Sequence, residues 1–299
     1  MVFLTFLLAH RTLAVDIRGP KTERAGFDTV GTLLLVLTLA AYALAMTLGR
    51  GRFGPFNIVL LLAAVFGLGL FALAETRAAS PLIRLAMFRD PALSASLAMN
   101  ALVSTVMMAT LVVGPFYLSR ALGFNEALVG GVMSIGPMMS ALSGVLAGRM
   151  VDRLGAPFMI IVGLIQMAAG AFALSVIPAI FGIAGYIAAV VVLSPGYQLF
   201  QAANNTAVMM NVSPDQRGVI SGMLSLSRNL GLITGASVMG AVFAAVSATI
   251  DITTARPEAV ATGMSITFAV AAALIVGALA IAVASRALAT RRSRPGDVR

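Results

Sequence analysis

Apolar residues fall in long, almost unbroken runs separated by short polar connections. The runs lie at about Val30–Leu48, Phe56–Ala74, Leu93–Leu118, Ala127–Ala147, Phe158–Ile177, Ile180–Met209, Val219–Val246 and Gly263–Ser285. A helix needs roughly 20 mostly apolar residues to cross a hydrocarbon core of about 30 Å, and every run is close to that length or longer. None shows the period-two alternation of barrel strands, so the pattern predicts eight transmembrane helices. Met1–Ala9 is a shorter apolar stretch, about half a span at roughly 1.5 Å per residue. It has neither a basic leader nor a small-residue cleavage site, and it is expected to be the end of a preceding span in a chain that is truncated or starts internally.

Composition agrees with the pattern. The chain is 60% hydrophobic and 10% charged, with a mean hydropathy of +1.00. A soluble domain carries about a quarter charged residues, so this chain has too little charge to coat a globule in water. The bilayer is its expected partner. Cysteine is absent, which excludes disulfides, thiolate metal sites and a cysteine nucleophile. A single histidine, His10, excludes a multi-histidine metal cluster. No cofactor, no metal and no covalent chemistry are expected.

The net charge of +9 does not point to nucleic acid, because the basic residues are spread over short loops and form no single patch. They sort by side instead. One set of alternate connections holds Arg11, Arg18, Lys21 and Arg24, then Arg77, Arg84 and Arg89, then Arg149 and Arg153, then Arg217, then Arg286, Arg291, Arg292, Arg294 and Arg299. The other set holds only Arg50, Arg52, Arg120 and Arg256. Positive charge marks the cytoplasmic side, so both ends of the eight-span topology are expected in the cytoplasm. Pro115, Pro137 and Pro195 fall within or near the ends of apolar runs, where kinks are tolerated if neighbours satisfy the freed carbonyls.

Polar residues inside the runs are few. On Ile180–Met209, Ser194, Gln198, Gln201 and Asn205 recur at helical spacing, with Tyr197 and Asn204 alongside. Amides facing lipid would be unsatisfied, so this stripe is expected to line a substrate path or to bond between helices. Arg228 is the one obvious ionisable residue deep in a run, about 16 Å beyond Arg217 along a helix. Burying it costs roughly 2.5–3.5 kcal/mol, which calls for a partner or a water-filled setting unless it snorkels to the surface. Ser221 and Ser225 share its face. Asn100 and Ser104, with Met107 and Met108, form a mixed face on Leu93–Leu118 that suits promiscuous apolar ligands or plain packing. All eleven acidic residues sit in connections, at span ends or in the tail, so no proton carrier is visible within a span; Asp28 reads as a helix N-cap.

The sharpest local motif is Gly144-Val-Leu-Ala-Gly148-Arg149-Met-Val-Asp152-Arg153-Leu-Gly155. Its glycines at four-residue spacing read as a close helix contact. The charged turn that follows reads either as a latch, paired in one state and broken in another, or as positive-inside anchors. This segment resembles the Gly-x-x-x-(Gly/Asp)-Arg-x-x-Asp-Arg-x-Gly loop of the major facilitator superfamily. Glu75 through Pro81-Leu-Ile and Phe88-Arg89 is similar to the loop before the ninth span of the fourteen-span drug:proton antiporters of EmrB/QacA type. Pro214-Asp-Gln-Arg217-Gly218, Ser221-Gly222, Ser227-Arg228-Asn229-Leu230-Gly231 and Gly235 are similar to that family's thirteenth-span signature.

The resemblance runs from the end of the sixth span through the fourteenth. It implies an all-α membrane fold: a truncated span and loop over 1–26, two linker spans and a loop over 27–91, a six-helix transporter bundle over 92–285 and a basic tail over 286–299. It further implies proton-coupled efflux of hydrophobic or cationic drugs across the plasma membrane, in company with an N-terminal bundle that this chain lacks. That bundle would carry the second copy of the loop motif and the antiporter motif; Gly130-Gly131 to Gly136-Pro137 has similar residue types but falls in a different span. The alternative is a non-transporting truncated protein or a half-transporter that needs a partner. Asn100, Met107, Gln198, Gln201, Asn205 and Arg228 are the expected substrate-path residues. Gly144, Gly148, Arg149, Asp152, Arg153 and Gly155 form the expected cytoplasmic gate.

Overall fold

The computed structural model describes residues 28–48, 54–78, 81–210, 212–247 and 256–292. Met1–Ala9, His10, the basic segment Arg11–Arg24, Arg50, Arg52 and the end of the tail lie outside that range. The regular elements among the described residues are all helices, without strands. The helices are α1 (Thr29–Thr47), α2 (Pro55–Arg77), α3 (Pro91–Phe116), α4 (Glu126–Met133), α5 (Ile135–Leu154), α6 (Ala156–Met209), α7 (Arg217–Val246) and α8 (Pro257–Arg292). One π turn, Tyr117–Ala121, extends α3, and 3-10 turns at Leu85–Arg89 and Pro214–Gln216 lead into α3 and α7.

These eight helices make eight spans by two adjustments. α4 and α5 form one span broken at Ser134. Pro137 lacks the N–H that would bond the Met133 carbonyl, and its ring crowds that carbonyl, so the helix opens there. Conversely, α6 has 54 residues, about 81 Å of helix if straight, far more than one bilayer crossing. It reverses at Gly182, whose φ of 54° and ψ of −128° lie outside the helical region. The legs 156–181 and 183–209 pack antiparallel: Gly163 lies against the backbone of Gly196 and Phe200, and Gly170 against Leu193. The buried Tyr117 hydroxyl donates to the Pro178 carbonyl beside the turn at 3.0 Å. The run boundary at about residue 180 is thus a helical hairpin.

The main core joins α3, both legs of α6, α7 and α8. On α8, Met264, Phe268, Ala271, Ile275 and Ala278 are fully or almost fully buried at alternating spacings of about three and four, the stripe of one packed face. A second cluster joins the α1–α2 hairpin to the bundle through Phe71, Ile83, Leu93, Ile220, Met223 and Leu224. Outward faces remain oily: Val65 and Phe66 on α2 are each 69% exposed, and Leu142, Val145 and Leu146 on α5 are similarly bare. Such contiguous apolar surface suits lipid and not water.

Two glycine contacts draw α3 and α7 together. A side chain at Gly231 would meet the Ala101 carbonyl oxygen at 2.3 Å, and one at Gly235 would meet that of Thr105 at 2.5 Å. At that distance short polar side chains reach backbone carbonyls across the interface. Ser227 donates to Leu97 at 2.6 Å, Asn100 to Leu224 at 2.8 Å and Thr105 to Gly231 at 3.0 Å. Such bonds are worth about 0.6 kcal/mol each in a membrane; the larger effect is to fix the register of the two helices.

Candidate functional site

That register sets the geometry of a polar pocket of about 210 Å³ between α3, α6 and α7. Asn100 comes from α3, Gln201 and Asn205 from one face of α6, and Ser221, Ser225 and Arg228 from one face of α7; Met209 and Leu224 complete the lining. Asn100 is 2% exposed. Its amide nitrogen is spent on the Leu224 carbonyl, while its oxygen is buried without a hydrogen-bond partner. Gln201 donates to the Tyr197 hydroxyl at 3.0 Å, one turn back on the same helix. Arg228 is exposed, and among the described residues no ion pair engages it.

The lining contains one guanidinium, three amides and two hydroxyls, and no carboxylate. It therefore offers mainly donors, with the Asn100 oxygen as a fixed acceptor. The guanidinium thus stands beside amides and hydroxyls in an open pocket and not beside a carboxylate.

Of the six expected substrate-path residues, the fold brings Asn100, Gln201, Asn205 and Arg228 to this pocket, and leaves two outside it. Gln198 turns toward α5, where its Nε2 lies 3.7 Å from the point at which a Gly144 Cβ would sit. Met107 packs against the main core. The amide stripe is therefore divided: Ser194 and Asn204 are buried, Gln198 faces α5, and only Gln201 and Asn205 reach the pocket. Ser221 and Ser225 join it from the arginine's face. Met209 and Leu224 carried no signal, since neither differs in sequence from a packing residue.

The gate motif lies at the end of α5. Gly155 has φ of 85° and closes α5 while starting α6, which explains a glycine there without reference to gating. A Cβ at Gly148 would have nothing within 4 Å, and one at Gly144 would meet only the ordinary Gln198 contact. The expected close helix approach at these two glycines is therefore not formed among the described residues. Arg149, Asp152 and Arg153 are exposed, with no ion pair among the described residues. A larger, mostly apolar cleft of about 490 Å³, bordered by Leu93, Met99, Ile160, Val208 and Ile220, opens where α3 begins; none of the substrate-path residues lines it.

Residues 75–236 match the family described as Major Facilitator Superfamily. The uncharacterized transporter YebQ of Escherichia coli (strain K12) is 27% identical over 79% of this chain and 51% of its own length. The quinolone resistance protein NorB of Staphylococcus aureus (strain Newman) is 28% identical over 74% of this chain and 48% of its own. The multidrug resistance protein Stp of Mycobacterium tuberculosis (strain H37Rv) is 30% identical over 77% of this chain and 43% of its own. The chain thus spans about half the length of these curated relatives. In fold it is similar to the nucleoside transporter NupG, solved as a D323A mutant, with a TM-score of 0.54 at 15% identity over 84% of this chain and 65% of that one. All four are named as transporters or resistance proteins, and none as an enzyme.

Proposed function

Because the chain belongs to the major facilitator superfamily, a family of multi-pass membrane transporters, we propose that it is the C-terminal portion of a proton-coupled drug exporter of the fourteen-span EmrB/QacA type. In this reading 92–285 is the six-helix transporter bundle and 27–91 is the linker hairpin with its loop. An N-terminal bundle like that of its longer relatives supplies the other wall of the substrate path. Both ends lie in the cytoplasm of a cell whose plasma membrane the protein spans, as the distribution of Lys and Arg indicates. The names of NorB and Stp support drugs as the cargo class.

The observation that carries the reading is the convergence of Asn100, Gln201, Asn205 and Arg228 on one open pocket within the span region. Transporters of this architecture bind substrate near the bilayer midplane between two rocking bundles. Here α3, α6 and α7 present a polar, partly unsatisfied face to the pocket. Apolar drug surface would rest on Met209 and Leu224. The pocket lacks a carboxylate, so a counter-ion for a cationic drug, like the coupling carboxylate itself, would come from spans beyond this chain. The Arg149–Gly155 turn would latch to that second bundle, since among the described residues its charges form no ion pair.

The test is transport by the complete open reading frame in proteoliposomes under an imposed pH gradient, using a panel of hydrophobic dyes and drugs. Proton-driven movement of at least one compound, reduced by Arg228→Ala, is the expected result; no proton-dependent flux of any compound overturns the proposal. The half-length match to the relatives favours a second reading, a half-transporter that needs a partner bundle. It predicts flux when this chain is co-expressed with a separate N-terminal bundle and none from the chain alone.

A further inference from the structure

Two carboxyl groups meet at the end of the α1–α2 hairpin nearest the start of α3. Asp28 caps α1: its Oδ1 accepts from the Gly31 N–H at 2.8 Å, and its carbonyl accepts from the Thr32 hydroxyl at 2.7 Å. The other carboxylate oxygen, Oδ2, is buried without a hydrogen-bond partner. Glu75, in the last turn of α2, is 4% exposed. Its Oε2 accepts from the Ile83 N–H at 3.3 Å, while Oε1 is buried without a partner. Both orphan oxygens converge on Gly31: a Cβ there would lie 2.4 Å from Asp28 Oδ2 and 3.0 Å from Glu75 Oε1.

Two ionised carboxylates so placed would each lose hydration and would repel one another. No counter-charge among the described residues relieves them. Arg77 on α2, Arg84 and Arg89 around the 3-10 turn and Arg217 at the head of α7 are all exposed, Asp90 caps α3, and none of these forms an ion pair among the described residues. A proton on Glu75 removes the repulsion and the cost of a buried charge there, and turns its orphan acceptor oxygen into a donor.

We infer that Glu75, beside the Asp28 carboxylate, is a proton-binding site, with the proton on the oxygen that no donor reaches, Oε1. The site joins three segments. Asp28 begins α1, Glu75 ends α2, and the Ile83 amide that Glu75 also holds belongs to the connection leading to α3. Ile83 itself is buried beside Phe71, Leu93 and Ile220. Binding the proton therefore seats the linker hairpin on the bundle, and releasing it places two like charges at the joint. The site is separate from the amide pocket and stands whether or not the protein exports drugs.

Isotope-edited infrared spectroscopy of this chain in nanodiscs tests the inference. Near neutral pH, exposed carboxylates are ionised, so a protonated-carboxyl C=O band that shifts with 13C-labelled Glu or Asp reports a sheltered proton. The expected result is such a band, lost at alkaline pH and absent in Glu75→Gln. The folded chain holds a proton that the unfolded chain releases, so the melting temperature should fall as pH rises through the loss of the band. In Glu75→Gln that slope should vanish. A spectrum with no label-sensitive band at neutral pH overturns the inference, as does a band unchanged in Glu75→Gln. Sodium-dependent melting without the band would assign the pair to a metal cation and overturn it equally. If Glu75→Gln does not fold, the labelled wild-type spectrum decides alone.

Discussion

Replacing Gly231 by alanine separates helix packing from helix propensity on α7. The new methyl would lie 2.3 Å from the Ala101 carbonyl oxygen and 2.8 Å from Ser104 Cβ. An ordinary carbon–oxygen contact is about 3.3 Å or longer, so α3 and α7 must part by about 1 Å. The nearest obstacle is backbone and has no rotamer to change. Overpacking of this kind costs about 1–3 kcal/mol. Separation also stretches the Ser227, Asn100 and Thr105 bonds across the interface, each worth about 0.6 kcal/mol. The total loss is therefore about 2–4 kcal/mol. Gly222 on the same helix has nothing within 4 Å of its would-be Cβ, so Gly222→Ala should recover about 1 kcal/mol of helix propensity. The two substitutions have the same chemistry and opposite expected signs. The chain has no Cys and no Trp, so thiol dyes and Trp emission cannot follow unfolding. Heating a fluorescent-protein fusion in detergent and measuring the surviving monodisperse fraction by size exclusion can. Equal stability of the two variants would refute the account of the α3–α7 contact.

Three further outcomes follow from the same geometry. Arg228→Gln should weaken binding of a hydrophobic, acid-bearing ligand to the complete transporter by roughly ten- to hundredfold, the value of a charge-assisted hydrogen bond of about 1.5–3 kcal/mol. It should leave melting nearly unchanged, because the guanidinium is exposed and has no ion-pair partner among the described residues; calorimetric titration with acid and neutral analogues checks this. Ser227→Ala removes the donor to the Leu97 carbonyl and should lower stability by about 0.6–1.7 kcal/mol, read by the same heating assay. Gly182→Ala forces a left-handed φ on a side chain and should cost about 1–3 kcal/mol, seen as reduced folded yield.

The spans were legible because lipid imposes a simple demand: every run long enough to cross must be apolar and helical. Even the hairpin within α6 was marked, by the break between the runs Phe158–Ile177 and Ile180–Met209. The residue types of the site were legible for the same reason, since amides and an arginine stand out against hydrocarbon. Their assembly was not. Gln198 and Gln201 are three residues apart on one helix, yet the first meets α5 and the second the pocket, and only the crossing of α6 with its neighbours decides which. Met107 shares a face with Asn100 in sequence, but the main core covers it. Glu75 read as part of a charged span end because nothing in its neighbourhood predicts that the connection through Ile83 folds over it. At Gly148 the four-residue glycine spacing meets nothing within 4 Å among the described residues.

Polar atoms inside the bundle are mostly answered by backbone or by one another: Ser265 donates to Ser175, Ser237 to Met46, and Tyr42 bonds Thr234. Among the described residues six buried side-chain oxygens are not. Thr38 is isolated between α1 and α2. Asp28 and Glu75 face one another, and the other three, Asn100, Ser104 and Asn204, lie on α3 and α6, on or beside the helices that frame the pocket. An orphaned polar atom in a dry interior costs on the order of 1–3 kcal/mol, so each one is selected against and their clustering needs a cause. Water or a ligand in the α3–α6–α7 pocket would give the Asn100 oxygen its partner, and the proposed proton would do the same for Glu75, whereas Ser104 and Asn204 do not line that pocket. Asn100 and Glu75 are thus the two positions where a small bound species would complete the hydrogen bonding of a buried oxygen.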